Sequence, residues 1–216
     1  MSKTYRVNEV FVSIQGEGVR AGTVNVFIRF AGCNMRCDVD PGPKSPGGFS
    51  CDTEFESGRT LTLDQLAEWV VTAYGQRSDG AKWRDWAEPW FILTGGEPGL
   101  QVDEEFLAYW RPRGVRFAIE TNGSINLDNL KLDWVTVSPK VAEHSIRQRR
   151  ADEVRYVRGY GQAIPKTVVE AKHKIISPAF DGMDLDGQTL KWCIDLVMAN
   201  PEWRLSVQTH KAWRVR

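Results

Sequence analysis

Apolar residues recur along the chain in short runs rich in β-branched and aromatic side chains. Those that read as strands are Val7–Ile14, Val24–Phe30, Trp90–Leu93, Val115–Ile119, Trp134–Val137, Glu153–Val157, Lys174–Ile176 and Arg204–Val207. Between some of them the period lengthens to that of a helix. The clearest helical stretch is Leu63–Tyr74: Leu63, Leu66, Trp69, Val70 and Ala73 fall on one face, and Thr62 with Gln65 three residues on forms a capping box. Shorter patterns cover Asp103–Trp110 and Thr189–Met198, the latter with Leu190, Ile194 and Val197 as its apolar stripe. Strands alternating with helices predict βαβ units, a mainly parallel sheet and right-handed crossovers. Only Asp38–Phe49 and Gly75–Glu88 have loop-like composition, and neither is long enough to separate domains. A single α/β domain spanning 1–216 is therefore expected.

The polar tracts at the strand ends are more telling than the strands. Thr94-Gly95-Gly96-Glu97-Pro98, Glu120-Thr121-Asn122-Gly123, Ser138-Pro139-Lys140 and Gln208-Thr209-His210-Lys211 all begin where a predicted strand ends. In a parallel sheet those C-terminal ends share one edge, where loops on a rigid scaffold bind ligands. A single such tract reads equally well as an ordinary turn; four on one edge point to a site.

Composition narrows the ligand. The chain has 216 residues, 42% of them hydrophobic, enough for a substantial core. Its 28 Lys and Arg balance 28 Asp and Glu, with no basic run, which argues against nucleic acid or an anionic membrane as partner and for a small molecule. The absence of a leader-like start and of any bilayer-length apolar run predicts a cytoplasmic location. There clustered thiols usually mean metal or redox chemistry. Of four cysteines, Cys33, Cys37 and Cys51 crowd into one segment behind a strand while Cys193, on an amphipathic stretch, reads as core. Three thiolates can hold an iron-sulfur cluster with one iron open to a ligand. Structural zinc would need a fourth ligand from Cys193 or a distant histidine.

Cys33-Asn-Met-Arg-Cys37, Cys51 and the GGEP tract resemble the radical S-adenosylmethionine (SAM) enzymes. SIQGEG at Ser13–Gly18, FIRFAGCNMRC at Phe27–Cys37, CDT at Cys51–Thr53, TGGEP, ETNG, SPK and RLSVQTHK resemble, in the same order, the 7-carboxy-7-deazaguanine synthase (QueE) family. The resemblance implies a partial (β/α) barrel with mainly parallel strands. It also implies conversion of 6-carboxy-5,6,7,8-tetrahydropterin to 7-carboxy-7-deazaguanine with loss of ammonia, on the route to queuosine and other 7-deazapurines. It assigns Cys33, Cys37 and Cys51 to a [4Fe-4S] cluster, SAM to the open iron, and hydrogen removal from the pterin C6 to the radical that SAM yields. SAM contacts would come from Ser50, Asp52, Gly95, Gly96, Glu97, Thr121, Ser138, Pro139, Lys140 and Ser177. Those to the pterin would come from Ile14, Gln15, Gly16, Glu17, Gly18, Arg29, Thr94 and the chain end at Arg216. Thr53 would be the protein ligand of Mg²⁺, which takes oxygen donors and keeps several waters.

Alternatives remain at several positions. Arg29, on an apolar strand, would by itself suit an internal ion pair or an edge position with its charge in solvent, and the surrounding motif turns the reading toward the substrate carboxylate. ETNG could simply close a strand, and His210 serves as readily in the core or tail as in a ligand site. The family spacing C-x3-C-x2-C is here stretched by an insertion at 38–50, which would bulge out and return Cys51 to the cluster unless Asp38 or Asp40 replaces it as ligand. The family implies a homodimer and an external electron donor such as a flavodoxin; separately, Trp83, Trp86 and Trp90, around a polar loop, would suit a subunit interface. The competing functions are another radical SAM activity, such as a glycyl-radical activase, and a non-catalytic zinc or iron-sulfur module.

Overall fold

The structure, a computed structural model, describes residues 3–38, 48–51, 53–75 and 88–215. Nine strands form one sheet in the order β3-β1-β2-β4-β5-β6-β7-β8-β9. They are β1 (Tyr5–Ile14), β2 (Val24–Phe30), β3 (Arg59–Leu61), β4 (Trp90–Gly95), β5 (Arg116–Thr121), β6 (Trp134–Val137), β7 (Arg150–Arg158), β8 (Glu170–Pro178) and β9 (Trp203–Leu205). β1 runs antiparallel to both its neighbours, whereas every pair from β2 to β9 is parallel. The sheet is open, with β3 and β9 at its edges.

Side-chain alternation divides the sheet's work. On β2, β4 and β5, Val26, Ile28, Phe30, Phe91, Leu93, Phe117 and Ile119 enter a core with α1 (Leu63–Gly75) and α2 (Glu104–Trp110). A second cluster joins Val137, Val154, Tyr156 and Ile176 to α3 (Gly187–Ala199). Residues one position away on the same strands face the opposite side, and that side carries the cleft.

Local chemistry fixes the helix starts. Thr62 N–H donates to Gln65 Oε1 at 2.9 Å and Gln65 N–H to Thr62 Oγ1 at 3.3 Å, the reciprocal box expected from the sequence. Asp103 caps α2 through Phe106 N–H at 2.9 Å, and Asp186 caps α3 through Thr189 N–H at 2.8 Å.

The buried face of α3 differs from the expected stripe. Ile194 is 40% and Met198 80% exposed, while Cys193 is fully buried and Thr189 nearly so. The helix is rotated so that Thr189, Cys193 and the partly buried Val197 meet the sheet, which confirms Cys193 as core. A short final helix, α4 (Thr209–Trp213), and the three-residue β3 were not anticipated.

Candidate active site

A cleft of about 1230 Å³ opens on the face away from α1 and α2. Alternate residues of the parallel strands form its floor: Phe27 and Arg29, Ile92 and Thr94, Glu120, then Arg155 and Val157. Cys33, Cys37, Cys51, Ser50 and Thr53 stand along one wall. Gln15, Gly16 and Glu17, from the turn after β1, and Gln208 and His210, from the far end of the chain, also line it.

The thiol wall is held by backbone contacts. Cys51 N–H donates to Cys37 O at 3.3 Å, so the two ends of the 38–50 insertion meet. Burial pushes the Cys33 and Cys37 thiols up; the N–H of Met35 opposes this at Cys33 and the Lys140 ammonium at Cys37, and both thiols feel Cys51. Among the described residues no three His, Cys, Asp or Glu side chains converge as a single ion requires. A four-iron cluster takes its thiolates at separate corners, which suits three thiols spaced along one wall.

Gly95 and Gly96 lie where the loop after β4 crosses the chain leading to Cys33. A Cβ on Gly95, at φ +118°, would fall 2.2 Å from Phe30 O, and one on Gly96 2.0 Å from Gly32 O. Gly96 N–H and Glu97 N–H donate to Phe30 O and Gly32 O at 3.1 and 3.0 Å, fastening the two loops together. Glu97 does not line the cleft. Fully buried, its carboxylate accepts from Thr121 Oγ1 at 2.8 Å, Asn122 N–H at 2.7 Å and Gly99 N–H at 2.9 Å, and burial raises its pKa. Its place is behind the site, holding the ETNG turn.

The other end of the cleft is a buried charge cluster. Arg155, 5% exposed, pairs with Glu120, with Glu153 Oε1 at 3.4 Å and with Glu17 Oε2 at 3.6 Å. Burial lifts the Glu120 carboxyl to about 7; Arg155 opposes that rise, and Glu153 and Glu17 add to it. Gln15 Nε2 donates to the other Glu120 oxygen at 3.3 Å. The turn after β1 crosses this floor: Gly18 N–H reaches Ser206 Oγ at 2.8 Å, Val19 N–H reaches Glu153 Oε2 at 2.8 Å, and Gly16 O accepts from both Thr209 N–H and Thr209 Oγ1, at 3.0 and 2.9 Å. A Cβ on Gly18, at φ +69°, would fall 2.3 Å from the Glu153 carboxylate.

Arg29 lines the cleft and also meets Glu9 Oε2 at 3.4 Å, so the internal ion pair is present in a residue that borders the cleft. Ile14, Thr94, Thr121, Ser138 and Lys140 line it too, Lys140 Nζ donating to Ser138 Oγ at 3.2 Å. Ser177 is buried on β8 opposite Val157. Pro139, Gly18 and Ser177 flank lining residues and are not themselves in the lining. Trp90, half-buried, carries the guanidiniums of Arg20 at 3.6 Å and Arg116 at 4.4 Å from its ring centroid. Asp52, Arg216, Asp40, Trp83, Trp86 and most of the insertion lie outside the described residues.

Pattern reading missed Glu153 and Arg155, and placed Glu120 and Gln208 in strand-end tracts without giving either a role of its own. The signal was present in Glu-Val-Arg-Tyr-Val at 153–157, where two opposite charges sit two apart, hence on one face, in an otherwise apolar strand. Among the described residues, Ser177 Oγ and Gln208 Oε1 are buried without a hydrogen-bond partner. Three soft donors on one wall and unspent polar atoms fit a thiolate-bound cluster with a polar organic ligand beside it.

No family model matches the chain. Named relatives do. The 7-carboxy-7-deazaguanine synthase of Bradyrhizobium diazoefficiens is 34% identical, covering 99% of this chain and 100% of its own. The synthase of Caulobacter vibrioides is also 34% identical, over 96% of this chain and 97% of its own, and that of Bacteroides thetaiotaomicron 34% over 98% of each. Among solved structures, QueE from Escherichia coli matches with a TM-score of 0.63 over 95% of this chain and 94% of that one; at 21% identity the likeness is one of fold.

Proposed function

The chain belongs to the 7-carboxy-7-deazaguanine synthase family, and on that premise we propose that it converts 6-carboxy-5,6,7,8-tetrahydropterin to 7-carboxy-7-deazaguanine and ammonia as a radical SAM carbon–nitrogen lyase. The observation that carries this reading is the cleft's two-ended chemistry: a wall of three thiols at one end and an amide-and-carboxylate floor at the other. Cys33, Cys37 and Cys51 would hold a [4Fe-4S] cluster, which together with SAM supplies the one-electron chemistry that opens the reaction.

The remaining work falls to the protein's own groups. Ser50, Ser138, Lys140, Thr121 and the Gly95–Gly96 backbone would bind and orient SAM, with Ser177 and Gln208 offering their unspent acceptors; Glu97 acts from behind by fixing Thr121 and Asn122. Gln15, Glu17 and Glu120 present an amide and two carboxyls to the donor-acceptor edge of a pterin. Arg29 would take the substrate carboxylate in a two-point contact, and Thr53 would join that carboxylate on Mg²⁺. Phe11, Phe27 and Ile92 line the space between the two ends and keep water from the reacting carbon. A homodimer, an external one-electron donor of the flavodoxin kind and a cytoplasmic setting complete the reading. None of the described helices is long and apolar enough to cross a membrane.

Anaerobic reconstitution with iron and sulfide, followed by incubation with SAM, a reductant, Mg²⁺ and the carboxytetrahydropterin, tests it. The expected result is a brown protein that releases 7-carboxy-7-deazaguanine and loses iron when Cys33, Cys37 or Cys51 is replaced by alanine. A colourless zinc protein, or a brown one inert toward the pterin, would overturn it.

A further inference from the structure

The segment carrying Cys33 is not held by its own loop alone. Asn34 Nδ2 donates to Ser124 Oγ at 2.8 Å, Asn122 Nδ2 donates to Asn34 Oδ1 at 3.0 Å, and the same Nδ2 lies 3.9 Å from Cys33 Sγ. Met35 N–H also approaches that sulfur, at 3.4 Å. Asn122 cannot flip: its Oδ1 accepts from Ser124 N–H at 2.9 Å, a donor that no amide nitrogen could satisfy, so Nδ2 must face the sulfur. Its backbone N–H is fixed on the buried Glu97 carboxylate at 2.7 Å.

We propose that Asn122 is a positioning residue that raises the electron affinity of the metal centre by directing an amide N–H at the Cys33 sulfur. The inference rests on the reading of Cys33, Cys37 and Cys51 as cluster ligands. Reduction adds negative charge that spreads onto the thiolate sulfurs, and a donor aimed at one of them gains more from the reduced form than from the oxidised one. Glu97 extends the arrangement, because one carboxylate fixes both Thr121, on the cleft, and Asn122, at the sulfur.

The test compares wild type with Asn122→Asp, Asn122→Ala and Asn34→Ala, each reconstituted anaerobically, by iron content and by a redox titration followed with electron paramagnetic resonance. Asn122→Asp keeps the acceptor for Ser124 and puts a charged carboxylate oxygen in place of the donor, whereas Asn122→Ala removes the donor without adding charge. Both Asn122 variants are expected to hold full iron and show a lower midpoint potential, Asp lower than Ala. A tenfold loss of electron affinity would read as a fall of about 59 mV for a one-electron couple. Asn34→Ala, which leaves the N–H to sulfur donor in place, is expected to match wild type. Unchanged potentials in both Asn122 variants, an equal fall in Asn34→Ala, or loss of iron on substituting Asn122 would each overturn the proposal. A wild-type protein that takes up no iron would refute the cluster reading itself.

Discussion

Replacing Arg155 by methionine removes a guanidinium that faces Glu17, Glu120 and Glu153, while Arg20 also feels Glu120 and Glu153. The consequence should depend on pH. Glu120 titrates near 4.5 in an unfolded chain and at about 7 in the fold. Because its folded pKa is raised, the stability tied to its proton is fully present below the unfolded value and is lost as pH climbs through the folded one. At about 1.4 kcal/mol per tenfold, that loss is roughly 3 kcal/mol in the native protein once pH exceeds 7. Without Arg155, the strongest influence holding that pKa down, the folded value climbs further and the alkaline loss deepens. Stripping one partner from a buried ion pair costs about 3–5 kcal/mol. Urea unfolding followed by tryptophan fluorescence at about pH 5.5 and about pH 8.5 should show a deficit of that order at the higher pH and a clearly smaller one at the lower. Adding Glu120→Gln, which makes the titrating partner neutral, should recover much of the alkaline deficit. A deficit equal at both pH values, or a double variant no more stable than Arg155→Met, would refute the reasoning.

Gly18→Ala places a Cβ 2.3 Å from the Glu153 carboxylate at a left-handed φ; about 1–2 kcal/mol of backbone strain alone should lower the urea midpoint, and displacement of the floor should raise the KM for the pterin. Thr62→Ala opens the capping box of α1 and should cost about 1 kcal/mol by the same assay, with the thiol wall's iron uptake unchanged. Thr53→Ala should depress turnover most at low Mg²⁺, and an unchanged Mg²⁺ dependence would remove Thr53 as a ligand.

Strands were legible where both faces carried a consistent pattern: β2 and β6 match their expected bounds residue for residue. The pattern fails where pairing outlasts burial. β7 and β8 run to nine residues each because Arg150 pairs with Glu170 and Ala151 with Ala171 at the margin of the core, and a charged rung beside an alanine rung leaves little hydrophobic trace. On α3, an apolar stripe drawn through Leu190 and Ile194 lost to Thr189 and Cys193, small side chains that let the helix sit close to the sheet. The site divides similarly. Loop motifs at strand ends announced themselves through glycine, proline and cysteine, and the structure brings most of them to one cleft. Arg155 did not, and Glu120 was visible only as the start of the ETNG tract, since the significance of the pair lies in a meeting across strands 35 residues apart in sequence.

The turn after β1 ties itself to the other end of the chain through Gly18–Ser206 and Gly16–Thr209, hydrogen bonds that span 188 and 193 residues. From β4 to β9 each strand adds beside the one before it, so the sheet can grow in chain order through comparatively local contacts. The turn must wait for the far edge, and closing so long a loop is slow. Assembly therefore ends, and local opening begins, at the substrate floor: amides of residues 16–19 should exchange with solvent by partial unfolding while those of β4 and β5 exchange only when the whole molecule opens.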